Sequence, residues 1–459
     1  MQPTQSQSRT PPKFVTGSLL RHILVMTGTG AIGLVAIFLG DLANILFLSW
    51  LGDETVVAAV GYASSILFFT ISIGIGLSIA ATSLVSPALG RGRHVEARRL
   101  SVNAHAATLA FSLVSALAVW LLVPWLLRVM GAGGRTHQLA TDYLEILIPS
   151  LPLLALAMTS AAVLRSAGDA RRAMNITLAI AIVNVLLDPL FIFGLGLGIE
   201  GAAIASTIAR GAAMLSGLYG VIRVHGLMGK FRVHQFERDA PALLAIAVPA
   251  VLTNIASPVS NAYVTAAIAP YGDSAVAGWA VVGRILPVAF GAIYALSGSI
   301  GPILGQNLGA RDGDRLRRAF TLSLAVNGAF TGAAWLALAV LAHPLSDLFH
   351  AGGEARELIV LFCRWVAPLF VFMGALFVAN AAFNTLGRAH VPTALNWGRA
   401  TIGTVPFVHV GGAWAGAGGV LWGFMLGGVA FGVLGVALCY RLIGQLGVGF
   451  QQEGPQASR

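Results

Sequence analysis

Apolar runs of about 20 residues recur along the whole chain, separated by short polar stretches rich in Gly, Arg and Asp. Their positions predict twelve membrane-spanning helices, at 20–49, 56–84, 101–127, 139–162, 173–194, 199–221, 242–269, 275–305, 318–341, 356–380, 393–411 and 415–442. An even number of crossings puts both termini on one side. The remaining segments read as a disordered cytoplasmic tail (1–18), a cytoplasmic linker (226–240) and a C-terminal cytoplasmic tail (446–459). They flank two six-helix bundles, 19–225 and 241–445.

Composition sharpens this picture. Charged residues are only 10% of the chain against 57% apolar, whereas soluble domains carry roughly 25% charged residues. The 55 glycines suit closely packed membrane helices. The net charge of +10 does not point to nucleic acid, because the basic residues sit in short loops and form no basic domain. By the predicted topology, 21 of the 28 Lys and Arg residues fall on the side of the termini. Only Arg128, Arg135 and Arg356 fall in the opposite loops. That asymmetry predicts cytoplasmic termini in a plasma (inner) membrane protein. Cys363 and Cys439 lie in apolar surroundings and suggest neither a disulfide framework nor a metal site.

The chain also repeats itself. Leu89-Gly90-Arg91-Gly92 is echoed by Leu308-Gly309-Ala310-Arg311, and Leu164-Arg165-Ser166-Ala167-Gly168 by Phe383-Asn384-Thr385-Leu386-Gly387. Gly198-Ile-Glu-Gly201 is echoed by Gly416-Ala-Gly-Gly419, and every offset is 218–219 residues. Six spans per half give the halves the same orientation, a parallel repeat typical of carriers that rock two lobes about a central site.

The halves differ where chemistry is expected. Asp41 and Asp188 lie deep in predicted spans, and their counterparts in the second half are Ser260 and Val405. The other acids fall in loops or near span ends. A carboxylate inside the membrane is costly, about 2.5–3.5 kcal/mol on insertion scales, and marks an ion or substrate path. Asn184 stands four residues before Asp188 and shares its helix face, and Pro189 frees the carbonyl of Val185 beside the acid. Ser206 or Thr207 supplies a hydroxyl oxygen in the sixth span. Such oxygens suit a proton relay or a weakly held Na⁺ at Asp41, Asn184 and Asp188. An apolar cavity disfavours a charged carboxyl group, which permits proton uptake near neutral pH.

Asn44, Tyr62, Phe68, Tyr294 and Arg284 are candidate substrate-cavity residues. Each also has a structural reading, as helix packing, interfacial aromatic or snorkelling cation. Arg210, Arg364 and Arg399 read as structural. Gly196-Leu-Gly198-Ile-Glu-Gly201 fits a dinucleotide-binding pattern, but it joins two spans and lacks the strand before it and the acid after it. It is a tight external turn. No cofactor is expected, only a coupling ion, H⁺ or Na⁺.

Together these segments resemble the multidrug and toxic compound extrusion (MATE) family, DinF-like branch, over about residues 20–445. The resemblance rests on Asp41-Leu-Ala-Asn44, Arg165-Ser166-Ala167-Gly168-Asp169, Asn184-Val-Leu-Leu-Asp188-Pro189, Gly201-Ala-Ala-Ile-Ala205 and Gly305-Gln306-Asn307-Leu308-Gly309-Ala310. It implies an all-α membrane protein of twelve helices in two pseudo-symmetric bundles. It also implies a monomeric antiporter that exports cationic or amphipathic organic compounds in exchange for H⁺ or Na⁺. In that branch the residues matching Asp41, Asn184 and Asp188 are implicated in coupling. A flippase for a lipid or lipid-linked precursor is the alternative. An intramembrane enzyme would need paired catalytic groups at one depth, and no Ser/His or metal cluster accompanies the two acids.

Overall fold

The computed structural model describes residues 12–452, and among these every regular element is helical. Arg9, Arg459 and the outer parts of both tails lie outside the described residues. The first bundle comprises α1 (Leu19–Ser49), α2 (Glu54–Gly90), α3 (His94–Val129), α4 (Gly134–Ser166), α5 (Ala170–Gly194) and α6 (Gly198–Tyr219). The second comprises α7 (Val233–Ile268), α8 (Asp273–Ala289 with Gly291–Gly309, bent by 49°), α9 (Gly313–Leu348) and α10 (Gly353–Thr385). The chain from His390 to Gln452 folds back on itself at Ala415–Gly416, which leaves two more crossings, α11 (390–414) and α12 (417–452). Among the described residues, nine helices are long and apolar enough to span a membrane by themselves. Counting the bent α8, the reversal at Gly416 and the Ala- and Gly-rich α6 brings the number to twelve.

Local chemistry sets the ends of these helices. Side chains of Ser18, Asp53, Asp169 and Asp312 accept from backbone N–H groups in the first turns of α1, α2, α5 and α9. Those N–H groups have no partner inside the helix. Pro189 disturbs α5 one residue after Asp188, and the helix continues as a π-helical turn over Leu190–Gly194.

The repeat visible in the sequence is a packing device. α2 and α8 cross between the bundles, and at the crossing each contributes a glycine 219 residues from the other. A Cβ on Gly90 would strike the backbone of Gln306, and one on Gly309 would strike the backbone of Pro87. Pro87 and Gln306 are themselves 219 apart, so the contact is made twice about one pseudo-symmetry axis. Further contacts between the bundles run from α1 to α8 and from α2 to α7. At the same end, Arg99 of α3 pairs with Asp239 of α7 at 2.9 Å, and Asn103 donates to that carboxylate at 2.8 Å.

Two expectations about the segment boundaries need correction. The N-terminal stretch is ordered from residue 12 and straps the bundles together. Phe14 is only 1% exposed, and its N–H donates to Gln306 Oε1 at 2.8 Å. Gln306 Nε2 in turn donates to the Ser166 carbonyl at 2.7 Å, and Lys13 Nζ to the Gly168 carbonyl at 2.6 Å. Arg315 Nη2 holds the Phe14 carbonyl at 2.9 Å. One aromatic ring and a set of unpaired backbone groups were enough to order a segment that reads as polar. The linker is also shorter than expected, because α7 begins at Val233, and α12 runs to Gln452 through the start of the predicted tail.

Candidate functional site

The site forms where α1, α5 and α6 pack in the first bundle. Asp188 is completely buried on α5. Asn44 of α1 donates from Nδ2 to Asp188 Oδ2 at 2.9 Å, so the polar residue three positions after Asp41 reaches the second acid directly. The other oxygen, Asp188 Oδ1, is buried without a hydrogen-bond partner. So are Asn184 Oδ1 one turn earlier and Thr207 Oγ1 on α6. Buried oxygens are rarely left unsatisfied, and each one needs an explanation. Three of them lie on the packed helices α5 and α6, one a carboxylate oxygen, and each is an acceptor that a small cation or a proton would satisfy. Of the two candidate hydroxyls, Thr207 is the one whose oxygen is fully buried without a partner.

Asp41 has a different environment. It is exposed, while Asp188 is sealed. Arg210 of α6 lies within its electrostatic reach. Arg210 is buried and donates from Nη1 to the Leu147 carbonyl at 3.2 Å and to Ser150 Oγ at 2.8 Å. The guanidinium is therefore fixed to α4 rather than snorkelling to an interface. Tyr143, also buried, shares this electrostatic neighbourhood with Asp41, Asp188 and Arg210. Sequence reasoning missed Tyr143 and gave Arg210 only a packing role. A cation in an apolar span carrying only one other ionisable group, Glu200, was the available signal.

The candidate cavity residues separate. Tyr62 packs against the apolar core of the first bundle, and Phe68 lies exposed, edge-on to Phe69. Tyr294 stacks among Phe370 and Phe377 and lines a cavity between the bundles. Arg284 and Arg364 are exposed. Arg399 is buried and donates from Nη2 to Ser257 Oγ at 3.2 Å. Asn44 belongs to the Asp188 pocket.

The MatE family model matches residues 31–190 and 249–410, one block in each bundle. The chain belongs to the MatE family. It is 30% identical to a protein named "FAD transporter" from Shewanella oneidensis, over 92% of this chain and 94% of that one. It is 22% identical to the multidrug export protein MepA of Staphylococcus aureus, over 92% and 93%. A solved MATE transporter from Vibrio cholerae superposes with a TM-score of 0.88 at 26% identity, covering 93% of this chain and 97% of its own. This MatE protein is therefore a multi-pass membrane transporter, not an enzyme, with twelve helices in two pseudo-symmetric bundles. Each half of the family model ends close to one prolyl position of the repeat, Pro189 or Pro406, and only the first half places a carboxylate beside it.

Proposed function

We propose that this MatE transporter is an ion-coupled antiporter that exports amphipathic organic compounds, with the coupling ion taken up at the Asp188 pocket. The observation that carries the reading is the sealed carboxylate of Asp188, tied to α1 by Asn44 and with its other oxygen buried and unpartnered, as are the oxygens of Asn184 on the same helix and Thr207 on the neighbouring one. Exposed Asp41 stands on the route to it, under the charge of Arg210. Occupation of the pocket by H⁺ or Na⁺ changes what Asn44 can hold. It thereby couples ion binding to the seat of α1 against α5, a discrete local change of the kind that biases two-state carriers. In this reading 19–225 and 241–445 are the moving bodies, and the termini face the cytoplasm as the charge asymmetry directs.

The two acids favour organic cations as exported substrates. A second reading of the substrate, an aromatic anion, is favoured by the 30% identical relative named for FAD transport. Purified protein in liposomes with imposed pH or Na⁺ gradients tests the proposal. Efflux of a dye cation and of a flavin is followed together with counter-ion flux. Gradient-driven export that persists undiminished in Asp188→Asn at matched reconstitution would sink it.

A further inference from the structure

A cavity of about 190 Å³ lies between the bundles, away from the Asp188 pocket, and both bundles contribute to its wall. Its one cation is Arg165, at the end of α4, and no carboxylate lines it. Arg165 Nε is shut off from solvent without a hydrogen-bond partner. A guanidinium N–H shut off from solvent with no acceptor is costly, and an anion in the cavity would supply the acceptor. The opposite wall is Tyr294, backed by Phe370 and Phe377, which offers an aromatic surface.

The remaining polar lining is of one kind. The hydroxyls of Thr29, Thr177 and Ser299 donate to their own helices, to Val25, Met174 and Ala295 at 2.8, 2.7 and 2.7 Å. Their protons are thus engaged, which leaves only lone pairs to offer; the Thr177 oxygen lies against Gly33 and Ser299 is buried, so Thr29 is the most open of the three. A complementary ligand has an anionic group for Arg165, a flat ring for Tyr294, and an O–H or N–H donor for the Thr29 oxygen. The cavity is smaller than the roughly 300–1,000 Å³ of ordinary ligand pockets. It is walled by both bundles, however, so it widens when they part, and two of its lining residues, Met26 and Ala170, belong to the same apolar cluster as Phe14.

We infer that Arg165 is the anion-reading residue of a substrate subsite between the bundles, and that the subsite takes a phosphorylated, hydroxyl-bearing aromatic compound of the nucleotide or flavin-phosphate class. This rests on the export reading above with the second of its two substrates, the aromatic anion rather than the organic cation, and specifies that substrate.

The test is equilibrium binding of flavin mononucleotide and riboflavin to the full chain in nanodiscs, read by flavin fluorescence. The two probes differ by one phosphate. Wild type is expected to bind the phosphorylated probe at least tenfold more tightly. Arg165→Gln should remove that preference while leaving riboflavin affinity within about twofold, which also reports that the variant is folded. Arg165→Lys, which keeps the charge without the planar fork, should retain part of the preference. Equal affinity of wild type for the two probes, absence of binding by the phosphorylated one, or a preference that survives in Arg165→Gln would each overturn the assignment. None of those outcomes bears on ion-coupled export, which the gradient assay reads separately.

Discussion

Gln306 joins the two bundles at the end that carries the N-terminal strap through two buried hydrogen bonds. It is 1% exposed, accepts from the Phe14 N–H and donates to the Ser166 carbonyl, so it joins the strap, α8 and α4 at one point. Gln306→Ala removes both partners and leaves two buried backbone groups unsatisfied. Each such loss costs about 1–3 kcal/mol. When the bundles part, water reaches both groups, so the penalty falls on the closed arrangement alone. The two together total about 2–6 kcal/mol, and even the lower figure shifts the equilibrium toward the parted state by roughly 30-fold. The readout is a cysteine placed at Ser299, which is 1% exposed and lines the cavity between the bundles. Both native cysteines are fully buried, so background labelling is low. In vesicles whose accessible face carries the termini, an impermeant maleimide should label Ser299→Cys at least tenfold faster in the Gln306→Ala background. An unchanged rate in a protein that remains folded and inserted would refute the argument that these two hydrogen bonds hold the bundles shut.

Asp188→Asn preserves size and can keep a hydrogen bond to Asn44, so the protein should insert normally and lose at least tenfold in gradient-driven export. Asn44→Ala strips the side-chain amide that donates to the sealed carboxylate and should cost about 1.5–3 kcal/mol in stability, read as a lower melting temperature in detergent. Gly90→Val drives a side chain into the Gln306 backbone and should abolish the closed arrangement more completely than Gln306→Ala; slower Ser299→Cys labelling than in wild type would contradict the crossing geometry. At Asp169, burial pushes the carboxyl up, but hydrogen bonds from His225 and from the side chain and amide of Arg172 outweigh it and leave it below the usual carboxylate range. The stability it lends is therefore present above about pH 4 and lost as pH falls through the lowered folded value. Asp169→Asn, which still caps α5, should flatten the acid limb of a melting profile, and an identical profile would remove the claim.

Much of the molecule was legible before folding was considered. Membrane insertion is a property of contiguous segments, so runs of apolar residues fix the helices, and the loop charges between them supply an orientation. The repeat could be read because both bundles solve the same packing problem with the same glycines. Asp41 and Asp188 were visible as candidates too, since a charge in an apolar run stands out without any coordinates. Partnership was not visible. That Asn44 reaches Asp188, that the Thr207 oxygen is buried without a partner, and that Arg210 is anchored on α4 all depend on the rotation of one helix against another. Rotation follows from summed packing over many contacts, and no local sequence signal encodes it. The ordered strap teaches the same lesson from the other direction. Residues 12–17 carry too little apolar surface to order themselves, and Phe14 becomes buried only because α1, α8 and α9 arrive around it with unpaired polar groups to satisfy. The sequence by itself determined the twelve crossings, the two related halves and the two acids, because those are set by transfer of each segment into the membrane. Tertiary structure decided which polar atoms meet and which are left facing a void, because a hydrogen bond needs two groups brought together at about 2.9 Å, and only the packed bundle does that.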